Sequence, residues 1–251
     1  MLRMNDQFFG LKWALKKTIA RYPLLFFPIS KLRSERGPAT SGEPTSSQLV
    51  SRDTQLVIEG FQRTGNTFAV RAFQYAQPNP VKIAYHFHAP AQILRAVKLG
   101  IPTLVVIRNP KDAVASYVAR WPVVSISRAL ELYIFFYESI REYKSSYIIG
   151  EFEEVTQNYS RVIQQINAKF GTNFVPFSDS KIDRDKVLEE IVVDKSSFSD
   201  KLGHHKKETL LQEILHEKHS NILRKAETIY QNFVTASREA ELSIDKSTRT
   251  I

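Results

Sequence analysis

The chain of 251 residues contains no cysteine. Disulfides, thiol nucleophiles, iron–sulfur clusters and cysteine-based zinc sites are thereby excluded, and the redox compartment is left open. The leader also lacks a long apolar run. Its longest, Tyr22 to Ile29, has eight residues, two of them proline, against the roughly 20 that cross a bilayer. No transmembrane helix is expected, and Lys12, Lys16 and Lys17 interrupt the stretch where a secretory signal needs unbroken apolarity. No repeat recurs at a solenoid or propeller period. With 43% apolar residues the composition is neither collagen-like nor disordered, and the length suits one large domain with appendages.

Charge bias is confined to the leader. Residues 1–37 hold Arg3, Lys12, Lys16, Lys17, Arg21, Lys31, Arg33 and Arg36 against Asp6 and Glu35, which is +6 of the net +9. The +3 that remains gives no argument for nucleic-acid binding by the globular part. Lys and Arg interleaved with Phe, Leu and Trp predict a basic amphipathic helix from about Leu11 to Arg21, ended by Pro23. Two readings stand. Either residues 8–29 contact an anionic membrane surface, peripheral to an otherwise cytoplasmic protein, or the helix packs as a cap on the main domain.

Residues 38–54, rich in Pro, Gly, Ser and Thr, read as a linker, followed by an α/β domain over 55–240 and a tail over 241–251. Within the domain, β-branched runs at 55–59, 82–87, 103–107 and 146–152 alternate with helical patterns at Thr67 to Tyr75, Pro90 to Lys98, after Asn109, and at Ser127 to Tyr143. Asn109 is a helix cap with Pro110 in the first turn. This succession predicts a parallel sheet flanked by helices on both faces. From Asn158 to Arg238 the chain reads as helical, with breaks at 171–177 and 195–203, and covers the site rather than building the sheet.

After the first strand comes Gly60-Phe61-Gln62-Arg63-Thr64-Gly65-Asn66-Thr67, a phosphate-loop pattern whose lysine is replaced by Asn66. In a strand–loop–helix setting the glycines let backbone N–H groups turn around a phosphate, and the helix N-terminus adds partial positive charge. Arg63 is a stand-in for the lysine. The most strand-like run, Thr103 to Ile107, ends in Arg108, where a nucleoside triphosphatase places a magnesium-binding Asp. A guanidinium there attracts phosphate and repels a divalent cation, so the two segments suit an anionic nucleotide bound without metal.

Together, "FQRTGNTF" (61–68) and "IRNPKDAVASY" (107–117) resemble the two nucleotide-binding motifs of the sulfotransferase family, which transfers a sulfuryl group from 3′-phosphoadenosine 5′-phosphosulfate (PAPS). The resemblance implies a P-loop NTPase-like sulfotransferase architecture. It places Arg63 on the family's catalytic lysine, Thr64, Gly65, Asn66 and Thr67 on the ligands of the 5′-phosphosulfate, and Phe68 on an aromatic that stacks on adenine. Arg108 and Ser116 have the eight-residue spacing of the pair that grips the 3′-phosphate. Likeness continues through "GEFEEV" (150–155), which puts Phe152 near the adenine, and through "YSRVIQQINAKFGTNF" to about residue 177. The family's late Gly-rich closing segment is matched only by "SDKLGHHKKE" (199–208), where Lys206 or Lys207 supplies the remaining charge or begins a solvated helix.

Transfer to an alcohol needs a proton acceptor, and histidine is the commonest near neutral pH. "YHFHAPAQI" (85–93) resembles the family segment bearing that base, and His88 is the matching residue. The implied reaction is in-line attack by an acceptor hydroxyl, of a glycan, lipid or small alcohol, on the sulfur of PAPS. His88 takes the proton, Arg63 stabilises the departing phosphate, PAP (3′-phosphoadenosine 5′-phosphate) is the product, and no metal is required. Two other classes fit parts of the sequence: a small-molecule or nucleotide kinase using the same loop with magnesium, and a non-catalytic membrane-surface protein using the basic leader.

Overall fold

Four aliphatic runs build the sheet in the computed structural model of the protein, which describes residues 15, 17–36, 46–194 and 200–248. They are β1 (Leu56–Gly60), β2 (Ile83–Tyr85), β3 (Thr103–Ile107) and β4 (Ile148–Glu151), all parallel, in the order β2-β1-β3-β4. The helices are α1 (Pro23–Arg36), α2 (Asn66–Ala76), α3 (Pro90–Leu99), α4 (Pro110–Arg120), α5 (Ile126–Ile140), α6 (Phe152–Gln157), α7 (Tyr159–Phe170), α8 (Lys181–Asp194), α9 (Asp200–Ile214) and α10 (Ser220–Thr248). Parallel crossovers lay helices over both faces of a sheet, and every residue of β1 and β3 is accordingly buried.

Alternation along each strand divides the core. Leu56, Ile58, Leu104, Val106 and Ile148 pack on α2, α7 and α8, whereas Val105, Ile107 and Ile149 pack on α4, α5 and α10. A third cluster joins Val57 and Ala84 to α3 and α1. The helix after β1 therefore lies on one face and the helix after β3 on the other, although the two strands are neighbours. Such a divergence opens a crevice at the carboxyl ends of the two strands.

Several boundaries differ from those the sequence predicts, each for a tertiary reason. The strand expected over 82–87 ends at Tyr85, because His86 turns with φ 69° into a loop held from β1. The expected linker closes early: Leu49 and Val50 are buried, and the Val50 N–H donates to Gln92 Oε1 at 2.9 Å. Of the break expected over 195–203, residues 195–199 lie outside the described residues, and α9 already begins at Asp200. The residues 241–248 continue α10 instead of forming a tail, with Glu241 paired to Arg161 at 3.0 Å.

In the leader, residues 17–21 are helical, the helix is interrupted at Tyr22, and Pro23 opens α1 instead of ending the helical region. Proline is tolerated at a first turn because no intrahelical N–H bond is lost there. Residues 11–14 and 16 of the expected amphipathic helix lie outside the described residues. Phe26 and Phe27 are buried against the domain, with Phe87 edge-on to Phe26 at 5.6 Å and Arg95 over the Phe27 ring at 4.1 Å. Among the described residues no helix is long and apolar enough to cross a membrane.

Candidate functional site

The loop between β1 and α2 is held by its own side chains. Thr64 Oγ1 donates to the Phe61 carbonyl at 2.7 Å, and Asn66 Nδ2 donates to the same carbonyl at 3.0 Å and to Thr64 Oγ1 at 3.1 Å. Both side chains are buried, so they shape the loop from within rather than face its mouth. Gly65 sits at φ 97° directly before α2, and no side chain caps that helix. Its first N–H groups are the orphan donors that every helix N-terminus carries. Gly60 is pressed against β3: a Cβ there would stand 2.3 Å from the Val106 carbonyl oxygen. Arg63, at the tip, adopts φ 68°, a strained conformation for a non-glycine residue.

The end of β3 meets this loop. Arg108 Nη1 donates to the Arg63 carbonyl at 3.2 Å, and Arg63 Nε donates to Ser116 Oγ, on α4, at 3.0 Å. Arg63, Arg108 and Ser116, far apart in sequence, thus form one cluster. The guanidinium of Arg108 lies 3.9 Å above the Phe152 ring, from which a Cβ added at Gly65 would stand only 3.0 Å, and the Arg108 Nε is buried without a hydrogen-bond partner. Burial pushes the Arg108 pKa down, opposed by Asp112 and Glu153. Two phenols on α5 brace the cluster: Tyr133 donates to the Arg108 carbonyl at 2.8 Å, and Tyr137 donates to the Val106 carbonyl at 2.8 Å while accepting the Phe61 N–H at 3.3 Å.

His88 stands at the carboxyl end of β2, in a loop where His86 and His88 both have positive φ. Glu59, wholly buried in β1, holds that loop by accepting the N–H of Phe87 at 2.9 Å and of His88 at 3.0 Å. His88 Nδ1 lies 2.9 Å from the Gly60 carbonyl. A carbonyl only accepts, so Nδ1 carries the ring proton and Nε2 keeps its lone pair. Burial lowers the His88 pKa to about 4, with the Gly60 carbonyl opposing, and raises that of Glu59 to about 8, with the loop amides opposing. The Glu59 carboxyl group, which burial keeps protonated below about pH 8, is 3.8 Å from Nδ1, so it places the ring without adding a charge beside it. His86 Nε2 lies 3.4 Å from Thr67 Oγ1, which joins the histidine loop to the first turn of α2.

Of the residues singled out from sequence, Arg63, Thr64, Gly65, Asn66, Thr67, Arg108, Ser116, Phe152 and His88 are thus gathered at the carboxyl ends of β1, β2 and β3. Phe68 is not. Its ring is buried on the core side of α2, edge-on to Phe177 at 6.2 Å. Lys207 pairs with Asp112 at 3.1 Å, and Asp112 lies 3.9 Å from Arg108, so α9 brings its charge to the rim of the cluster. Glu59, Tyr133 and Tyr137 are the residues that sequence reasoning missed. A lone carboxylate inside an apolar strand, directly before the glycine loop, was a readable signal for the first; nothing local marks the tyrosines. Comparison with family models, with curated proteins and with solved structures finds no match.

The opposed shifts of Glu59 and His88 give a testable pH dependence. Glu59, raised from 4.5, contributes stability that is whole below its unfolded pKa and is lost as the pH rises toward about 8. His88, lowered from 6.5, contributes stability that is whole above that value and is lost as the pH falls toward about 4. Glu59→Gln should therefore flatten the fall in Tm between pH 4.5 and about pH 8, leaving the acid limb in place. Parallel Tm profiles for the two proteins would show that Glu59 titrates normally.

Proposed function

We propose that the protein is a PAPS-dependent sulfotransferase of P-loop type, acting on a hydroxyl-bearing acceptor. The observation that carries this reading is the cluster of Arg63, Arg108 and Ser116 beside the uncapped N-terminus of α2. The residues present fit a phosphorylated nucleotide. Gly60 keeps the loop tight against β3, Arg108 has a buried Nε without a partner, and Phe152 offers a flat ring at the same strand end. An arginine rather than a carboxylate at the end of β3 favours an anion over a divalent cation.

PAPS, when bound, supplies a sulfuryl group joined to a phosphate leaving group. The acceptor oxygen forms a bond to sulfur as the bond from sulfur to the 5′-phosphate oxygen breaks, and the hydroxyl proton passes to His88 Nε2. Charge left on the phosphate faces Arg63 and the first N–H groups of α2. A guanidinium keeps its proton, so Arg63 stabilises charge without acting as an acid. Glu59 is a positioning residue, holding the His88 loop through two backbone N–H groups.

Thermal stabilisation distinguishes this reading from a kinase. PAP without metal should raise Tm, by an amount equivalent to about 2.7 kcal/mol at a hundredfold excess over Kd, and ATP with magnesium should do less. The opposite preference would replace the transferase reading with the kinase one. Arg108→Ala should weaken PAP binding about 10- to 100-fold, the value of a hydrogen bond to a charged group. Affinity unchanged in that variant would remove Arg108 from the phosphate site.

A further inference from the structure

Helix α1 is apolar on two opposite sides. Phe26 and Phe27 are buried in the domain, whereas Leu24 is 90% exposed, Leu25 46%, Ile29 44% and Leu32 46%. At 3.6 residues per turn these four, with Pro28, fall within one arc of about 140°, away from the docked phenylalanines. The helix thus keeps a second apolar face that its docking leaves to water. Exposed Tyr22 precedes it.

Cations border this face. Lys31 lies along one edge of the arc and Arg33 along the other, both exposed, with Arg21 just ahead of the helix. The helix carries one acid, Glu35 in its last turn, against Lys31, Arg33 and Arg36, and from Gln7 to Ser34 the chain has no Asp or Glu. An apolar strip with a net positive border matches the surface of a bilayer rich in anionic lipid: side chains enter the acyl boundary while Lys and Arg meet headgroup phosphates. A second copy of the chain fits less well, since a two-fold contact through this face would bring the cations of one helix, Arg21, Lys31 and Arg33, against the same set on the other.

We infer that the exposed face of α1 is a docking surface for an anionic phospholipid bilayer, on which the helix lies in the plane of the interface. The inference is independent of the reaction proposed above, but it has a geometric consequence for the site. Phe26, on the docked side of the same helix, touches Phe87, the residue between His86 and His88. Docking therefore sets the loop that carries the candidate base behind the helix, about 10 Å from the lipid surface.

Co-sedimentation of the full chain with vesicles tests this. Vesicles of phosphatidylcholine containing about 30% phosphatidylserine should pellet the protein, pure phosphatidylcholine should pellet far less, and about 0.5 M salt should release most of it. Leu24→Glu/Leu32→Glu should reduce partitioning at least about tenfold with Tm unchanged, because both side chains are exposed in the fold. Should that variant lose its thermal transition, Lys31→Gln/Arg33→Gln serves in its place and must lose the preference for phosphatidylserine. Equal pelleting by both vesicle types, or binding that survives the leucine changes, overturns the inference. So does light scattering that finds a dimer which the leucine variant dissociates, since the face would then belong to a second copy.

Discussion

Replacing His88 with alanine is expected to lower turnover by roughly 10²- to 10⁴-fold while leaving PAP affinity nearly unchanged. The expectation rests on geometry. Nδ1 is committed to the Gly60 carbonyl at 2.9 Å, so the basic lone pair is on Nε2, and the side chain makes no contact with the Arg63, Arg108 and Ser116 cluster among the hydrogen bonds described. Because burial lowers its pKa to about 4, the ring is neutral through the physiological range, and the acid limb of kcat/KM should fall well below the ordinary imidazole value. Full turnover in the alanine variant, with Tm and PAP affinity intact, would place the base elsewhere. An acid limb near 6.5 would instead show that His88 is better solvated than its surroundings imply.

Gly60→Ala should destabilise the fold by about 3 kcal/mol and abolish nucleotide binding. The added methyl would stand 2.3 Å from the Val106 carbonyl oxygen, 2.9 Å from Thr64 Oγ1 and 3.0 Å from Asn66 Oδ1. None of these can step aside cheaply. Val106 lies in the central sheet and its carbonyl already accepts from Tyr137, while Thr64 and Asn66 are bonded to the loop that the methyl would push open. Chemical denaturation would measure the loss. A variant of wild-type stability that still binds PAP would show that β1 and β3 separate more easily than their packing indicates.

Much of the site was legible because its signals are local. Asn109 was expected to cap a helix begun by Pro110, and its side chain accepts the Lys111 N–H at 3.0 Å. The interval from Arg108 to Ser116 is about two turns of helix, which returns the hydroxyl toward the strand end that carries the arginine. Phe68 shows where local likeness stops. The same helical period that puts Asn66 at the loop turns Phe68 toward Phe177 and the core. The tyrosines were illegible for a different reason: Tyr133 and Tyr137 sit on the inner side of an ordinary amphipathic helix, and only its packing directs their hydroxyls to the carbonyls of Val106 and Arg108.

The order of residues was enough for the strand–loop–helix units and the cations placed at their junctions, because turn geometry, capping and side-chain period act over a few residues, and the lack of cysteine was enough to exclude thiol chemistry. Only folding made β1 and β3 neighbours whose helices leave to opposite faces, so that Arg63, Arg108 and Ser116 form one cluster. It also decided that Glu59 reaches the histidine loop and that α1 buries its phenylalanines while its leucines stay outside. Parallel pairing and helix docking join residues separated by tens of positions, and no short-range periodicity specifies which of the available apolar surfaces will meet.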